Sequence, residues 1–297
     1  MARWDKGTTA STIPDWFFEA VEAPVTDHTV EVEECDVHYR LWEGSSDRPL
    51  LLIHGMSAHA HWFDFIAPQL TPEYRVAAMD LTGMGDSDYR YEYTADSYAE
   101  EVRAVCDAAA LDERVILVAH SFGGRIALKA VKRWPDRFAG LVLLDSGLRH
   151  PDEPDPQRPP MAGSSKVYPD RASAEARFRL QPPQSCDNGY ILEYIARHSI
   201  MAVEGGGFAW KFDEDLFGSL KGLDGSADDF RNLAVPLKMM FGADSALFSE
   251  RSVEYMQSLV PEAQRPVPVV MLPDAQHHLF LDQPRAFVAA LRDLLTD

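Results

Sequence analysis

The chain has 297 residues, of which 46% are hydrophobic, enough for one large buried core with an inserted subdomain. Its 47 acidic side chains outnumber 28 basic ones for a net charge of −19, which argues against nucleic acid and anionic membrane surfaces as partners. Three widely spaced cysteines (Cys35, Cys106, Cys186) exclude a disulfide framework and a CxxC zinc site. The first residues, MARWDKGTTASTIPDW, contain no apolar run that could serve as a signal core, and no later run approaches a membrane span, so a cytoplasmic location is expected.

In chain order, Ile13, Trp16, Phe17, Ala20 and Val21 fall near helical spacing after Pro14, predicting a short packed arm. Val30, Val32, Val37, Tyr39 and Leu41 alternate with polar residues on either side of Cys35 and Asp36, an antiparallel hairpin at a sheet edge. Leu50 to Ile53 is a buried strand that runs into His54, Gly55 and Met56. His54 is expected to hold that loop by a hydrogen bond, and His59, His61, Trp62 and Phe63 to line a pocket mouth. Arg75 to Met79 is the next strand, followed by the tight acidic loop Asp80 to Asp88, whose spacing fits no phosphate-binding motif. Thr94 to Ala110 reads as an amphipathic crossover helix.

Val115 to Ala119 reads as a buried strand and Arg125 to Arg133 as a helix. A strand that becomes a helix across so few residues must bend sharply, and Ala119, Gly123 and Gly124 provide the small flanks that such a bend needs. Ser121 stands at its apex, and the N–H of Phe122, at a helix start, is aimed where an oxyanion would form. Trp134 and Pro135 stop the helix, and Ala139 to Leu144 is a further strand ending in Asp145. Six prolines between Pro151 and Pro169 read as a linker. Helical pieces are expected from about 171 to 233, notably Tyr190 to Val203. Strands at Leu237 to Phe241 and Val267 to Leu272 and a helix from Pro284 to Leu295 complete an alternating α/β pattern.

The turn around Ser121 resembles the nucleophile elbow G-x-S-x-G of the α/β-hydrolase superfamily, with Ala119 in place of the first glycine. The run from Asp80 to Asp88 resembles the D-x-x-G-x-G-x-S-D segment of the same family, and His54 to Met56 its His-Gly loop. The resemblance implies an α/β-hydrolase fold: a mostly parallel central sheet with helices on both faces, formed by residues 1–147 and 234–297, and a helical cap at 148–233. It also implies a site. Ser121 is the expected nucleophile, and the N–H groups of Met56 and Phe122 form the expected oxyanion hole. Family members carry a histidine seven residues before the proline of an acidic-x-Pro motif, which lands on His277, with His278 as its neighbour. Their usual acid follows a late strand as G-x-x-D, but that position is Ser245 here. Asp145, at the end of the strand after the elbow helix, is the first choice for the acid and Asp244 the second. The implied activity is hydrolysis of carboxylic esters with small to medium acyl chains, with a small-molecule partner and neither metal nor organic cofactor. Arg149, Arg197 or Arg125 could supply an acid-binding pocket, which would favour a carbon–carbon bond hydrolase. A non-catalytic binding protein of the same fold is the third reading.

Overall fold

A computed structural model of the chain describes residues 13–46, 48–111, 114–154 and 166–296. Residues 1–12 and most of the proline-rich linker therefore lie outside the described residues. Eight strands form one sheet: β1 (Thr26–Val32), β2 (Cys35–Trp42), β3 (Pro49–Ile53), β4 (Arg75–Met79), β5 (Val115–His120), β6 (Phe138–Leu144), β7 (Leu237–Gly242) and β8 (Val269–Leu272). Their spatial order is β1-β2-β4-β3-β5-β6-β7-β8. β1 with β2 and β2 with β4 are antiparallel, and every later pair is parallel.

The parallel strands are continuous apolar runs because both of their faces are covered. Leu51 and Ile53 of β3 pack into one core with Leu117 and Ala119 of β5, while Leu50, Leu52 and Val118 pack into the core on the opposite face. Successive side chains in a strand point to opposite faces, so the period of two divides each run between the two cores. Helices α2 (Ala95–Ala108) and α3 (Phe122–Arg133) cover the first face through Val102 and Ile126. α1 (Asp15–Val21) and the C-terminal helix (Pro284–Thr296) cover the second through Phe17 and Leu291. No helix among the described residues is long and apolar enough to cross a membrane.

Three expected boundaries move. The edge hairpin turns at Glu33 and Glu34, with φ of 49° and 63°, while Cys35 and Asp36 already pair within β2. Two consecutive residues at positive φ give the turn whose twist matches that of the flanking strands. The elbow helix begins at Phe122 and not Arg125, because Gly123 and Gly124 are themselves helical. The helix expected at Tyr190 to Val203 is Gly189–His198, and Ile200–Ala202 instead pairs antiparallel with Phe208–Trp210. Gly205, Gly206 and Gly207, at φ of 86°, 98° and 97°, make the connection between those two short strands. The segment between β6 and β7 thus mixes helix and hairpin. It is tied to the sheet domain through α1, where the ring of Phe17 lies 4.9 Å from Tyr190 and 5.6 Å from Tyr194.

Candidate active site

Ser121 joins β5 to α3 with φ of 51° and ψ of −116°, a backbone state that costs a non-glycine residue about 1–3 kcal/mol. The surroundings hold it there. Its N–H donates to the Leu144 carbonyl at 3.0 Å, and its carbonyl accepts from the Gly124 N–H at 3.1 Å and from Ser146 Oγ at 2.5 Å. A Cβ on Gly123 would strike the backbone oxygens of Ile53 and His54, and one on Gly124 would strike Ser146. Small residues after the serine are therefore required by the close approach of β3 and β6 to the helix start.

His277, on the loop after β8, is buried beneath this turn, and its Nδ1 lies 2.6 Å from Oδ2 of Asp145. Asp145 follows β6, has no exposed surface, and also accepts the Gly242 N–H (3.2 Å) and the Ser245 hydroxyl (2.8 Å). With the carboxylate as acceptor, Nδ1 carries the proton and Nε2 is the basic nitrogen. Asp244 is exposed, and its N–H is spent on the Ala275 carbonyl; the structure does not bring its carboxylate to His277. Ser245, at the position where the family resemblance leads one to expect an acid, instead donates to Asp145 at the end of the neighbouring strand.

Two further imidazoles surround His277. His120 donates from Nε2 to the His277 carbonyl (3.0 Å), and the rings of His120 and His278 lie 4.7 and 4.8 Å from that of His277. Burial, followed by the nearness of His277, pushes both flanking imidazoles well below the usual histidine range, so they are neutral near pH 7. Donor atoms of His120, His277 and His278 lie within 4.8 Å of one another, as do those of His38, Asp80 and Asp86, and these two groups are the candidate metal-holding clusters among the described residues. In the second group Asp80 already accepts from His38, Ala60 and Asp86.

The loop after β3 sits beside the elbow. A turn closed by the Ala58 N–H on the Gly55 carbonyl (3.2 Å) presents Met56 and Ser57. Neither the Met56 N–H nor the Phe122 N–H has a hydrogen-bond partner among the described residues, which leaves both available to an incoming oxygen. His54 pins this loop: Nδ1 donates to the Gly55 carbonyl at 2.7 Å, and Nε2 accepts the Leu81 N–H at 3.0 Å. Of the residues expected at a pocket mouth, His59 borders a cavity, and His61, Trp62 and Phe63 are not in its lining. His61 is taken up by Asp64 and Arg40, while Trp62 and Phe63 pack on Phe280 in the core.

His59 meets a second serine, Ser199, at 2.8 Å. Ser199 donates its hydroxyl proton to the Ile195 carbonyl (2.8 Å), so His59 Nε2 must be the donor toward it, and Nδ1 of His59 has no partner. This pair therefore lacks both a base directed at the hydroxyl and an orienting acid, whereas His277 has an acid on its Nδ1.

The cavity bordered by His59 has a volume of about 390 Å³ and lies between the loop after β3 and the segment connecting β6 to β7. Its basic lining comes from Lys166, Arg177, Arg179 and Lys211, residues that no motif in the sequence marks. Arg149 and Arg197, candidates for that role, are engaged elsewhere. Arg149 binds the Leu247 and Pro154 carbonyls and Glu153, and Arg197 pairs with Glu193 one helical turn away. Arg125 lies on α3, outside the cavity lining.

Comparison with known proteins agrees with this architecture. The chain is 26% identical over 260 residues to a pimeloyl-[acyl-carrier protein] methyl ester esterase of Neisseria meningitidis, covering 84% of this chain and 93% of that protein. It is 29% identical over 273 residues to a 2-succinyl-6-hydroxy-2,4-cyclohexadiene-1-carboxylate synthase of Serratia proteamaculans, covering 86% and 97%. The crystal structure of E-2-(acetamidomethylene)succinate hydrolase superposes with a TM-score of 0.74 at 22% identity, over 92% of this chain and all of that one. The family model described as the alpha/beta hydrolase family matches residues 50–291, from β3 into the C-terminal helix, and the chain belongs to that family.

Proposed function

We propose that the protein is a serine hydrolase that cleaves carboxylic esters of small to medium acyl chains through an acyl-enzyme intermediate. The observation that carries this reading is the 2.6 Å bond from buried Asp145 to His277 beside the strained Ser121 turn. Ser121 Oγ attacks the ester carbonyl carbon while its proton passes to Nε2 of His277. The resulting oxyanion is held by the Met56 and Phe122 N–H groups, each contributing roughly 3–4 kcal/mol of barrier stabilisation. His277 then protonates the departing alkoxide, leaving an acyl-serine. Water gives a proton to the same Nε2 and attacks the acyl carbon, and the proton returns to Ser121 Oγ as the acid leaves. Asp145 faces the imidazolium formed in each half-reaction, and the two neutral neighbours, His120 and His278, set no charge against it.

Support also comes from the Neisseria relative, whose name makes it a methyl ester esterase. In this proposal residues 148–233 act as a cap over the site, and a cytoplasmic location fits the three free cysteines. The test is hydrolysis of a p-nitrophenyl ester series from acetate to laurate, with Ser121→Ala as control. Turnover that drops at least a thousandfold in the variant is expected. Equal rates in the two proteins would overturn the nucleophile assignment. No turnover by folded wild-type enzyme would redirect the search to carbon–carbon substrates and then to a binding role.

A further inference from the structure

The cavity over the Met56 loop has an electrostatic character opposite to that of the whole chain. Acidic residues outnumber basic ones 47 to 28, so a random patch of this surface carries more carboxylates than cations. Among the described residues the lining holds Lys166, Arg177, Arg179 and Lys211 and no Asp or Glu. Such an inversion, confined to a concavity, is the arrangement that draws in an anion.

The four cations are not equivalent. Lys211 is neutralised by Asp86, 2.5 Å away. Arg179 donates through Nη1 to the carbonyls of Ala176 and Phe178, which fixes its guanidinium and leaves its charge uncompensated. Lys166 lies 5.5 Å from the ring of Tyr168, and neither it nor Arg177 has a carboxylate partner among the described residues. Phe178, set between the two arginines in sequence, and Trp210 add apolar wall, with ring centroids 6.2 Å apart. Ser57, the residue after Met56, is part of the lining. A ligand whose carbonyl oxygen sits on the Met56 N–H would extend a short apolar chain past Ser57, along the edges of the Phe178 and Trp210 rings, toward the cations.

We propose that the substrate is an ester bearing an anionic group, a carboxylate or a phosphate, separated from the scissile carbonyl by a short chain and bound by Arg177, Arg179 and Lys166. This inference rests on the serine-hydrolase reading above and narrows its substrate to a charged ester. Guanidinium groups match both oxyanions through paired N–H donors, so the class of ligand is set by charge and planarity. Screening by salt should weaken its binding more than that of an uncharged analogue.

The experiment compares two matched pairs on wild type and on the Arg177→Gln/Arg179→Gln double variant, whose fold is checked by thermal melting. The carboxylate pair is mono-4-nitrophenyl glutarate and 4-nitrophenyl pentanoate. The phosphate pair is 4-nitrophenyl 4-(phosphonooxy)butanoate and 4-nitrophenyl 4-methoxybutanoate. Wild type should prefer the anionic member of at least one pair, by kcat/KM, and the pair that shows it identifies the anion. In the double variant that preference should fall at least tenfold, mainly through KM, and an Arg177→Lys/Arg179→Lys variant should recover part of it. Equal use of both members of each pair by wild type, or a preference that survives in the double variant, overturns the inference and leaves the hydrolase reading standing. Calorimetric titration of Ser121→Ala with glutarate and with propyl phosphate separates the two failures. Binding of either anion that is lost on adding the arginine substitutions upholds the anionic site even where no ester turns over, and absence of binding by both, with no charge preference in turnover, removes it.

Discussion

Two buried histidine–aspartate pairs lie in this molecule, and on distance alone they are nearly the same. His277 Nδ1 stands 2.6 Å from Asp145, and His38 Nδ1 stands 2.8 Å from Asp80. What differs is the other ring nitrogen. Nε2 of His38 faces a second carboxylate, Asp27, at 3.3 Å, and Asp80 is further bound by the N–H groups of Ala60 and Asp86. That imidazole is enclosed by acceptors and ties the edge hairpin to the Asp80 to Asp88 loop. His277 spends one nitrogen on Asp145, while its Nε2 has no hydrogen-bond partner among the described residues. A His–Asp pair is thus no signature of catalysis by itself; its meaning is set by what the second nitrogen is offered.

The comparison can be broken by exchanging carboxylate for amide in each pair. Asp145→Asn should lower kcat for ester hydrolysis by about 10³–10⁴-fold with the fold intact, because the amide still accepts from Gly242 but no longer dictates the tautomer of His277. A loss below tenfold in stopped-flow or steady-state rates would sever Asp145 from the mechanism. Asp80→Asn should act on stability instead. Removing the charge that satisfies His38 and two backbone donors should cost about 3–5 kcal/mol in urea unfolding, with kcat per folded molecule changed far less than in Asp145→Asn.

A smaller effect sharpens the first pair. Ser245→Ala removes one hydrogen bond to Asp145 Oδ2 and should lower kcat about tenfold, in keeping with about 1.5 kcal/mol for a hydrogen bond to a charged group. An unchanged rate would mean that Gly242 alone suffices to orient the acid. The smallest effect concerns pH. Burial opposes the charge on His38, but the hydrogen bond and charge of Asp80, with Asp86 and Asp27 beyond it, outweigh burial and raise its affinity for the proton. The stability this contributes is fully present below the ordinary imidazole value of about 6.5 and is lost as pH rises through the raised folded value. Unfolding free energy should therefore decline across the neutral to alkaline range, and His38→Asn should flatten that slope. At the acid end, Asp64 is held down to about 2 against its own burial by His61 and Arg40, so its contribution is present above the ordinary carboxylate range and is lost as pH falls toward 2.

Features encoded by neighbours in sequence are legible without coordinates. The strand, the sharp turn at Ser121 and the following helix depend on small residues within one short stretch, and the continuous apolar runs of β3, β5 and β6 mark strands covered on both faces. Where sequence and structure part, the competing force is also local but weaker in pattern. The glycines after Ser121 read as loop and are helix because packing on β3 and Ser146 demands them there. The Ile200–Ala202 strand reads as helix, yet three glycines allow a hairpin that pairs it with Phe208–Trp210. Arg197 pairs with Glu193 one helical turn before it and Arg149 with Glu153, and neither arginine is in the cavity lining.

By itself the sequence determined the alternating architecture and the elbow, since each depends on spacing along one segment, and the resemblance of its motifs to those of α/β hydrolases supplied the candidate base and acids. Only the tertiary structure decided between Asp145 and Asp244 as the partner of His277, because that contact spans 132 residues and turns on which strand end lies beneath the elbow. It alone assembled the basic cavity, whose lining runs from Ser57 to Phe212 and whose charges have no common period. Local periodicity reports which face of an element is buried, but the field inside a concavity is summed over side chains that meet only when the chain has folded.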